Sequence, residues 1–251
     1  MIPKIIHYCW LSNDEVPIEF KNYIEKWKEK LPDYTFKKWN FDCFDINSSE
    51  WVREAFENKK YAFACDYIRL YAIYHYGGIY MDMDVEVVKR FDTLLAFDYM
   101  LAYESIENKG IEAGCFGAVP GSSFIEQCLA YYKGRHFVLP NGDFDQRPLP
   151  QIMNEVLINS NFKINLYNWK YFTAKSYDTG VESPDENTYT IHHFAGSWKT
   201  DYEKKETELY QKLSHKYGKY GSLLYKVYKY GLHPWKLINK LNLKAKRQLR
   251  K

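Results

Sequence analysis

The stretch that most constrains the fold runs from Gly77-Gly78 through Ile79-Tyr80-Met81 to Asp82-Met83-Asp84-Val85. The glycines end any helix arriving from Tyr76, because a left-handed C-cap is easily adopted there. The apolar residues that follow are too few for a core helix, so the segment reads as a short buried strand that runs out into two carboxylates. If it stays extended to Val85, alternation turns Asp82 and Asp84 to one side and Met83 to the other. Like charges held that close need a cation or a shared proton to offset them, and hard divalent ions such as magnesium or manganese prefer oxygen ligands. Strand carboxyl ends are also where α/β sheets bind ligands. The chain supplies its own comparison: Asp143-Phe144-Asp145 has the same spacing, but it lies in a polar stretch with Pro140 and Gly142 and no apolar strand behind it.

The flanking pattern supports an α/β sheet. Lys4 to Cys9 reads as a buried strand, Pro17 to Lys30 as a helix with Phe20, Ile24 and Trp27 on one face, and Tyr34 to Trp39 as a second strand. Helices are expected at Glu50 to Asn58, Tyr61 to Tyr76, Ser123 to Tyr132 and Leu149 to Ile158. Further strands are expected near Met100 to Tyr103, Phe116 to Val119 and Thr190 to Phe194. Residues 133–148 read as a loop and are expected to form a mobile flap. With 251 residues, 46% of them apolar, one substantial core is available. The expectation is an α/β domain over 1–205 and a helical basic tail over 206–251.

Charge is divided unevenly between these parts. No Asp or Glu follows Glu208, and residues 209–251 carry twelve Lys or Arg, so the earlier chain balances at 23 − 32 = −9. A basic tail on an acidic body is drawn to polyanions. With Trp235, several tyrosines and Leu237, Ile238, Leu241, Leu243 and Leu249 among its basic residues, the tail fits an anionic membrane surface, and nucleic acid is not expected because no binding motif accompanies it. Five cysteines without C-x-x-C spacing argue against a disulfide framework and fit a reducing cytoplasm. The N-terminus lacks a signal-peptide apolar core, so the expected location is cytoplasmic, peripheral at the inner membrane face.

Taken together, Ala62-Phe63-Ala64-Cys65-Asp66-Tyr67-Ile68-Arg69 and Tyr76-Gly77-Gly78-Ile79-Tyr80-Met81-Asp82-Met83-Asp84 resemble the DXD-containing sugar transferases. That group includes fungal initiating mannosyltransferases, capsular polysaccharide transferases and glucosylating domains of large toxins. The opening Ile2-Pro3-Lys4-Ile5-Ile6-His7-Tyr8-Cys9-Trp10 is similar to that family's first strand. The resemblance implies a GT-A fold, a Rossmann-like sheet that binds a nucleotide sugar with Mn2+ or Mg2+. It also implies that a hexose, on UDP with GDP left open, passes with retained configuration to a saccharide or lipid-linked acceptor in capsular or surface polysaccharide synthesis. By position, Asp82 and Asp84 are the catalytic metal-site pair. Trp10, with Tyr8 near it, stacks on the base, Asp66 and Arg69 hold ribose and sugar hydroxyls, and Tyr80 lies beside them. His193-Phe194-Ala195-Gly196-Ser197-Trp198-Lys199 is similar to a motif of related retaining galactosyltransferases, which makes His193, rather than His192, the further metal ligand. Ser197, Trp198 and Lys199 then close on the diphosphate. Glu112 and Gln151 fall where the family places acceptor contacts.

Two other readings compete. Asp82-Met83-Asp84-Val85 also matches the nucleophile loop of haloacid-dehalogenase-type phosphatases, in which Asp82 would be phosphorylated. That loop needs a later lysine and acidic pair, to which Gly142-Asp143-Phe144-Asp145 is a poor match. A non-enzymatic carbohydrate- or membrane-binding module would use the aromatic residues and leave the acids as surface.

Overall fold

Each strand of the main sheet is short, and what fixes its place is burial on both faces. In the computed structural model, which describes residues 1–106, 110–160, 162–196 and 199–231, Ile79 and Met81 enter one apolar cluster and Tyr80 enters the other. This is the period-two alternation of a strand with a core on either side. Strands β1 (Ile5–Cys9), β2 (Thr35–Trp39), β3 (Gly78–Met81), β5 (Tyr99–Met100) and β6 (Cys115–Ala118) form a sheet in the order β2-β1-β3-β6-β5. β1 runs parallel to β2 and β3, while β6 is antiparallel to β3 and β5. Helix α1 (Ile18–Lys30) seals one face with Phe20, Ile24 and Trp27. On the other face are α2 (Glu50–Glu57), α3 (Tyr61–Tyr76), α4 (Ser123–Ala130) and α5 (Leu149–Asn159), built around Trp51, Ile68, Phe124 and Met153. A mixed sheet with helices on both faces is the expected α/β architecture and is consistent with a GT-A arrangement.

Two further strands, β4 (Val85–Val87) and β7 (Thr190–His192), pair antiparallel as a separate ribbon. The expected helix at Tyr61 to Tyr76 forms with those bounds and ends at Gly77, whose N–H donates to the Ile73 carbonyl at φ +62°. Gly78 follows at φ +98°, where a Cβ would stand 2.6 Å from the Ile5 carbonyl oxygen, so the helix-to-strand crossing tolerates no side chain.

His7 ties this crossing to the sheet. It is fully buried, the Trp39 indole N–H donates to its Nδ1 at 3.0 Å, and its Nε2 lies 2.8 Å from the Gly77 carbonyl. The indole can only donate, so Nδ1 accepts, and the ring proton sits on Nε2. Burial, opposed in part by the Gly77 carbonyl, pushes the imidazole pKa down to about 4.

Residues 133–148 depart from the expected mobile flap. Phe137 is fully buried and stacks on Phe144 at 5.1 Å, and the Val138 N–H donates to Glu54 at 2.9 Å, which pins the segment to α2. Aromatic side chains in an otherwise polar loop supplied that anchor.

The chain divides into two compact units, Met1–Lys175 with Glu182–Trp198, and Ser176–Val181 with the chain from Lys199 onward. In the second unit Thr200 and Glu203 form a capping box that starts α6 (Asp201–Tyr217), and α7 (Lys219–Gly231) follows. Lys229 reaches Glu206 at 2.7 Å, and the Tyr210 and Tyr225 rings meet edge-on at 5.2 Å. Trp235 and the alternating basic and apolar stretch from Lys236 lie outside the described residues. No helix among the described residues is long and apolar enough to cross a membrane.

Candidate active site

Asp82, Met83 and Asp84 do not continue the strand. β3 ends at Met81, β4 begins at Val85, and the Val85 N–H donates to the Asp82 carbonyl at 3.0 Å, closing a turn. The extended run expected through Val85 is therefore corrected: a turn, not strand alternation, brings the carboxylates together. Met83 still points inward, into the cluster that holds Trp27. Long-range bonds hold the turn. The Asp82 N–H donates to Gly114 at 2.7 Å and the Trp27 indole to the Val85 carbonyl at 2.7 Å. The Ala195 N–H donates to Asp84 Oδ2 at 2.7 Å.

The β4–β7 ribbon sets Val85 opposite His192, and this register delivers the third polar group. His192 Nε2 lies 3.5 Å from Asp84 Oδ1, and ligand atoms of Asp82, Asp84 and His192 all fall within 4.8 Å of one another. On its other side, His192 Nδ1 lies 3.1 Å from Glu112 Oε1. Glu112 is itself buried, accepting from the Gly114 N–H at 2.6 Å and the Thr173 hydroxyl at 2.7 Å. A carboxylate that accepts from Nδ1 fixes the tautomer that leaves Nε2 free to coordinate, an arrangement common behind metal-bound histidines. Two carboxylate oxygens and an imidazole nitrogen form a donor set that suits Mn2+ or Mg2+, so these residues fit a divalent cation. Gly114 makes room for the ring, since a Cβ there would meet His192 Cε1 at 2.5 Å and Glu112 Oε1 at 2.8 Å.

The electrostatics of the pair are unequal. Burial would raise the Asp84 carboxyl, but His192 and the Ala195 amide hold its pKa down at about 2. Asp82 is raised by burial and by Asp84, against the opposing pull of Arg69 and His192. Burial disfavours a charged His192, yet Glu112 and Asp84 together raise it well above the ordinary imidazole value. The His192 imidazolium and the Arg69 guanidinium together offset the two acids.

Arg69 forms the floor beneath Asp82. It is buried, donates to the Ala113 carbonyl at 2.7 Å and to Asp82 Oδ2 at 3.4 Å, and lies 3.4 Å from Asp66. Its guanidinium sits 4.6 Å from the Tyr80 ring centroid, and the Tyr80 hydroxyl donates to Asp82 Oδ1 at 2.9 Å. Burial, opposed by Arg69, lifts Asp66 to about 6. Asp66, Arg69, Tyr80 and Asp82 are thus one connected group.

Other sequence candidates fall elsewhere. His193 faces Glu86 at 3.0 Å and stacks on Tyr23 at 5.4 Å, so the group with the two aspartates contains His192 where His193 was expected. The ribbon register decides this, because β7 ends at His192, paired with Val85, while His193 lies just beyond the strand. Glu112, expected at the acceptor, is buried behind His192 with both oxygens engaged, whereas Gln151 is exposed on α5. Tyr8 is half-buried, edge-on to Trp27 at 6.0 Å, and Trp10 donates from its indole to the Asp14 carbonyl at 2.9 Å. Lys199 belongs to the second unit, where it donates to the Tyr177 and Thr207 hydroxyls, each at 2.9 Å. Ser197 and Trp198 lie outside the described residues.

Sequence reading missed Gly114, Thr173, the Ala195 amide and Glu104. Burial and the neighbouring Glu112 push the Glu104 carboxyl up to about 7, against the pull of His192. No local signal could have linked Glu112 to His192, which are 80 residues apart. Among the described residues a second group, Glu50, Glu54 and His136, meets similar distances. There Glu54 and His136 pair with each other at 2.8 Å and Glu50 pairs with Arg53 at the surface.

Comparison with known proteins bears on the same residues. Residues 17–101 match the model of a family described as the glycosyltransferase sugar-binding region containing a DXD motif, and this stretch includes Asp66, Arg69, Tyr80, Asp82 and Asp84. A mannosyl phosphorylinositol ceramide synthase of Saccharomyces cerevisiae is 33% identical over 137 residues, 53% of this chain and 35% of its own. An inositol phosphoceramide mannosyltransferase of Schizosaccharomyces pombe is 28% identical over 146 residues, 54% of this chain and 45% of its own. The chain therefore matches less than half the length of these relatives. The solved PaToxG glycosyltransferase superposes with a TM-score of 0.49 at 17% identity, covering 63% of this chain and 68% of that one.

Proposed function

We propose that the chain is a divalent-metal-dependent glycosyltransferase that moves a hexose from a nucleotide sugar to a saccharide or lipid-linked acceptor with retention. The observation that carries this reading is the convergence of His192, with Glu112 behind it, on Asp82 and Asp84, two acids that lie inside the stretch matching sugar transferases. Asp82, Asp84 and His192 would hold the cation. When bound, Mn2+ or Mg2+ would neutralise the diphosphate as the sugar leaves.

The chain's own groups have distinct tasks in this reading. Glu112 and Gly114 orient His192, and the Ala195 amide and the turn fix Asp84. Arg69 and Tyr80 hold Asp82, while Asp66 and Arg69 contribute hydrogen bonds to ribose and sugar hydroxyls. The route in this reading is a front-face displacement in which the departing phosphate takes the acceptor proton.

The printed names of the relatives assign mannose transfer to those proteins, so a mannose nucleotide joins UDP-hexose as a donor to test. We place the acceptor at the cytoplasmic membrane face, in capsular or surface polysaccharide synthesis. Support for membrane attachment comes from α7, where Leu223, Leu224, Val227 and Tyr228 are exposed at helical spacing in a part of the chain without acids. Anionic rather than zwitterionic vesicles should co-sediment with the chain, and equal partition to both would remove this attachment.

The central test is calorimetry with manganese and UDP-hexose or GDP-mannose, paired with a hydrolysis assay. Metal-dependent binding of one donor that Asp84→Ala weakens by about 100-fold is the expected result. Binding of every donor that is equally strong in a chelator would overturn the metal site. Phosphate release from simple esters would instead favour the phosphatase reading, against which the sugar-transferase match of residues 17–101 weighs.

A further inference from the structure

Cys9 closes β1 and Cys65 lies in the first half of α3, and their sulfurs face each other at 3.1 Å. Neither is bonded to another cysteine. They are 56 residues apart in sequence, so the fold and not local chain geometry brings them together. Cys9 is buried and Cys65 half-buried, so Cys65 is the more accessible member of the pair. The other three cysteines have no such partner: Cys115 and Cys128 are buried apart from any thiol, and exposed Cys43 bonds only to oxygens of Lys38 and Asn40.

The surroundings give this pair leverage. Cys65 precedes Asp66, and Cys9 precedes Trp10. Cys65 and Arg69 are four residues apart on α3, and Cys9 is buried in the same cluster as Tyr80, with Cys65 packed against it, which sets the pair beside the groups that hold Asp82. A bond of about 2.05 Å would draw the sulfurs together by roughly 1 Å. The end of β1 and the helix that carries Asp66 and Arg69 would then be tied to each other directly beneath Asp82.

We propose that Cys9 and Cys65 are a redox modification site, a dithiol that small disulfides such as oxidised glutathione convert to an intramolecular disulfide. The Cys65 thiolate attacks one sulfur of glutathione disulfide, expels one glutathione thiolate and leaves a mixed disulfide. Cys9 then attacks the Cys65 sulfur and expels the second glutathione, whose departing thiolate takes the Cys9 proton. One disulfide is reduced to two glutathione thiols, and two cysteines are oxidised to one cystine. Burial raises the Cys9 thiol well above its ordinary value, so the second step is the slow one.

Closure also shifts Asp66 and Arg69 and weakens donor binding, a consequence that rests on the function proposed above. The two parts separate experimentally. Full-length protein is titrated with glutathione disulfide, alkylated and mapped by mass spectrometry. A Cys9–Cys65 linked peptide, lighter by two hydrogens than the free pair, is expected, while Cys43 carries only a glutathione adduct. Cys9→Ser should trap the mixed disulfide on Cys65. Absence of the linked peptide at full modification of Cys43, or a linked peptide that joins other cysteines, would overturn the site.

For the consequence, binding of manganese and the nucleotide sugar is compared before and after oxidation. A roughly tenfold loss, restored by dithiothreitol and absent in Cys65→Ser, is expected for a change just behind metal and donor groups. Unchanged affinity in protein shown to be linked would overturn the coupling and leave the modification site standing. If no donor binds the reduced protein, the proposed function fails, while the linked peptide still decides the chemistry of the pair.

Discussion

Asp82 and Asp84 are held by groups from far along the chain, whereas Asp143 and Asp145, at the same spacing, are held mostly by their neighbours. Asp143 exchanges hydrogen bonds with Asn141, and Asp145 takes the Tyr131 hydroxyl at 3.3 Å and Arg135 at 3.9 Å. The first pair instead draws on Arg69, Gly114, His192 and Ala195, the last of these 111 residues beyond Asp84. Local partners satisfy each acid separately and leave no shared space between them. Distant partners oblige two acids and an imidazole to face one another, and that mutual exposure is what a cation can exploit.

Removing the support from behind should produce the largest effect. Glu112→Ala strands a buried imidazolium, an amide and a hydroxyl, so the unfolding free energy from urea denaturation should fall by about 3–5 kcal/mol, the cost of breaking a buried ion pair. No comparable loss is expected from Glu155→Ala, which removes the surface partner of Arg147 near the second pair. Equal losses would mean that the two regions do not differ in kind.

Acid should expose the same asymmetry through the sheet behind the first pair. The His7 imidazole has an ordinary value of 6.5 and a folded value of about 4, so folding favours its neutral form. Its contribution is complete above about 6.5 and is lost as pH falls through about 4, a difference on the order of 3 kcal/mol. Denaturation midpoints from pH 7 to 4 should decline accordingly, and His7→Gln should flatten that slope. An unchanged slope in the variant would place the acid sensitivity elsewhere.

The comparison sharpens when the acids themselves are changed. Asp84→Ala should weaken manganese-dependent nucleotide-sugar binding by about 100-fold, while Asp145→Ala should leave it within twofold, roughly the noise of a surface substitution. Calorimetry on both variants decides the point, and parallel losses would refute the assignment.

A smaller effect is expected at Gly114→Ala, where the added methyl forces His192 or Glu112 aside. Overpacking of this kind costs about 1–3 kcal/mol, and a thermal melt together with metal titration should show both the lower midpoint and a weaker site. A melt and titration unchanged from the parent would mean that the His192 ring sits elsewhere in solution.

Much of the fold was legible because short-range patterns control it. Gly77-Gly78 stopped α3 where expected, and Phe20, Ile24 and Trp27 marked the buried face of α1. The apolar run at Ile79 to Met81 marked a strand buried on both sides. The carboxylate pair was legible for the same reason, although its convergence was ascribed to an extended strand and arises from a turn. Choosing between His192 and His193 was beyond sequence reasoning. His192 is the last residue of β7 and His193 lies beyond it, and which of them meets the acids depends on pairing with Val85, a contact made by distant chain.

The sequence by itself determined that a helix stops at Gly77-Gly78, that two acids follow a buried strand, and that positive charge gathers after Glu208, since these depend on side-chain chemistry and near-neighbour spacing. Tertiary structure alone decided that Glu112 stands behind His192 and that Cys9 meets Cys65. Such contacts are fixed by strand register and by burial between elements many residues apart, and no local pattern encodes either.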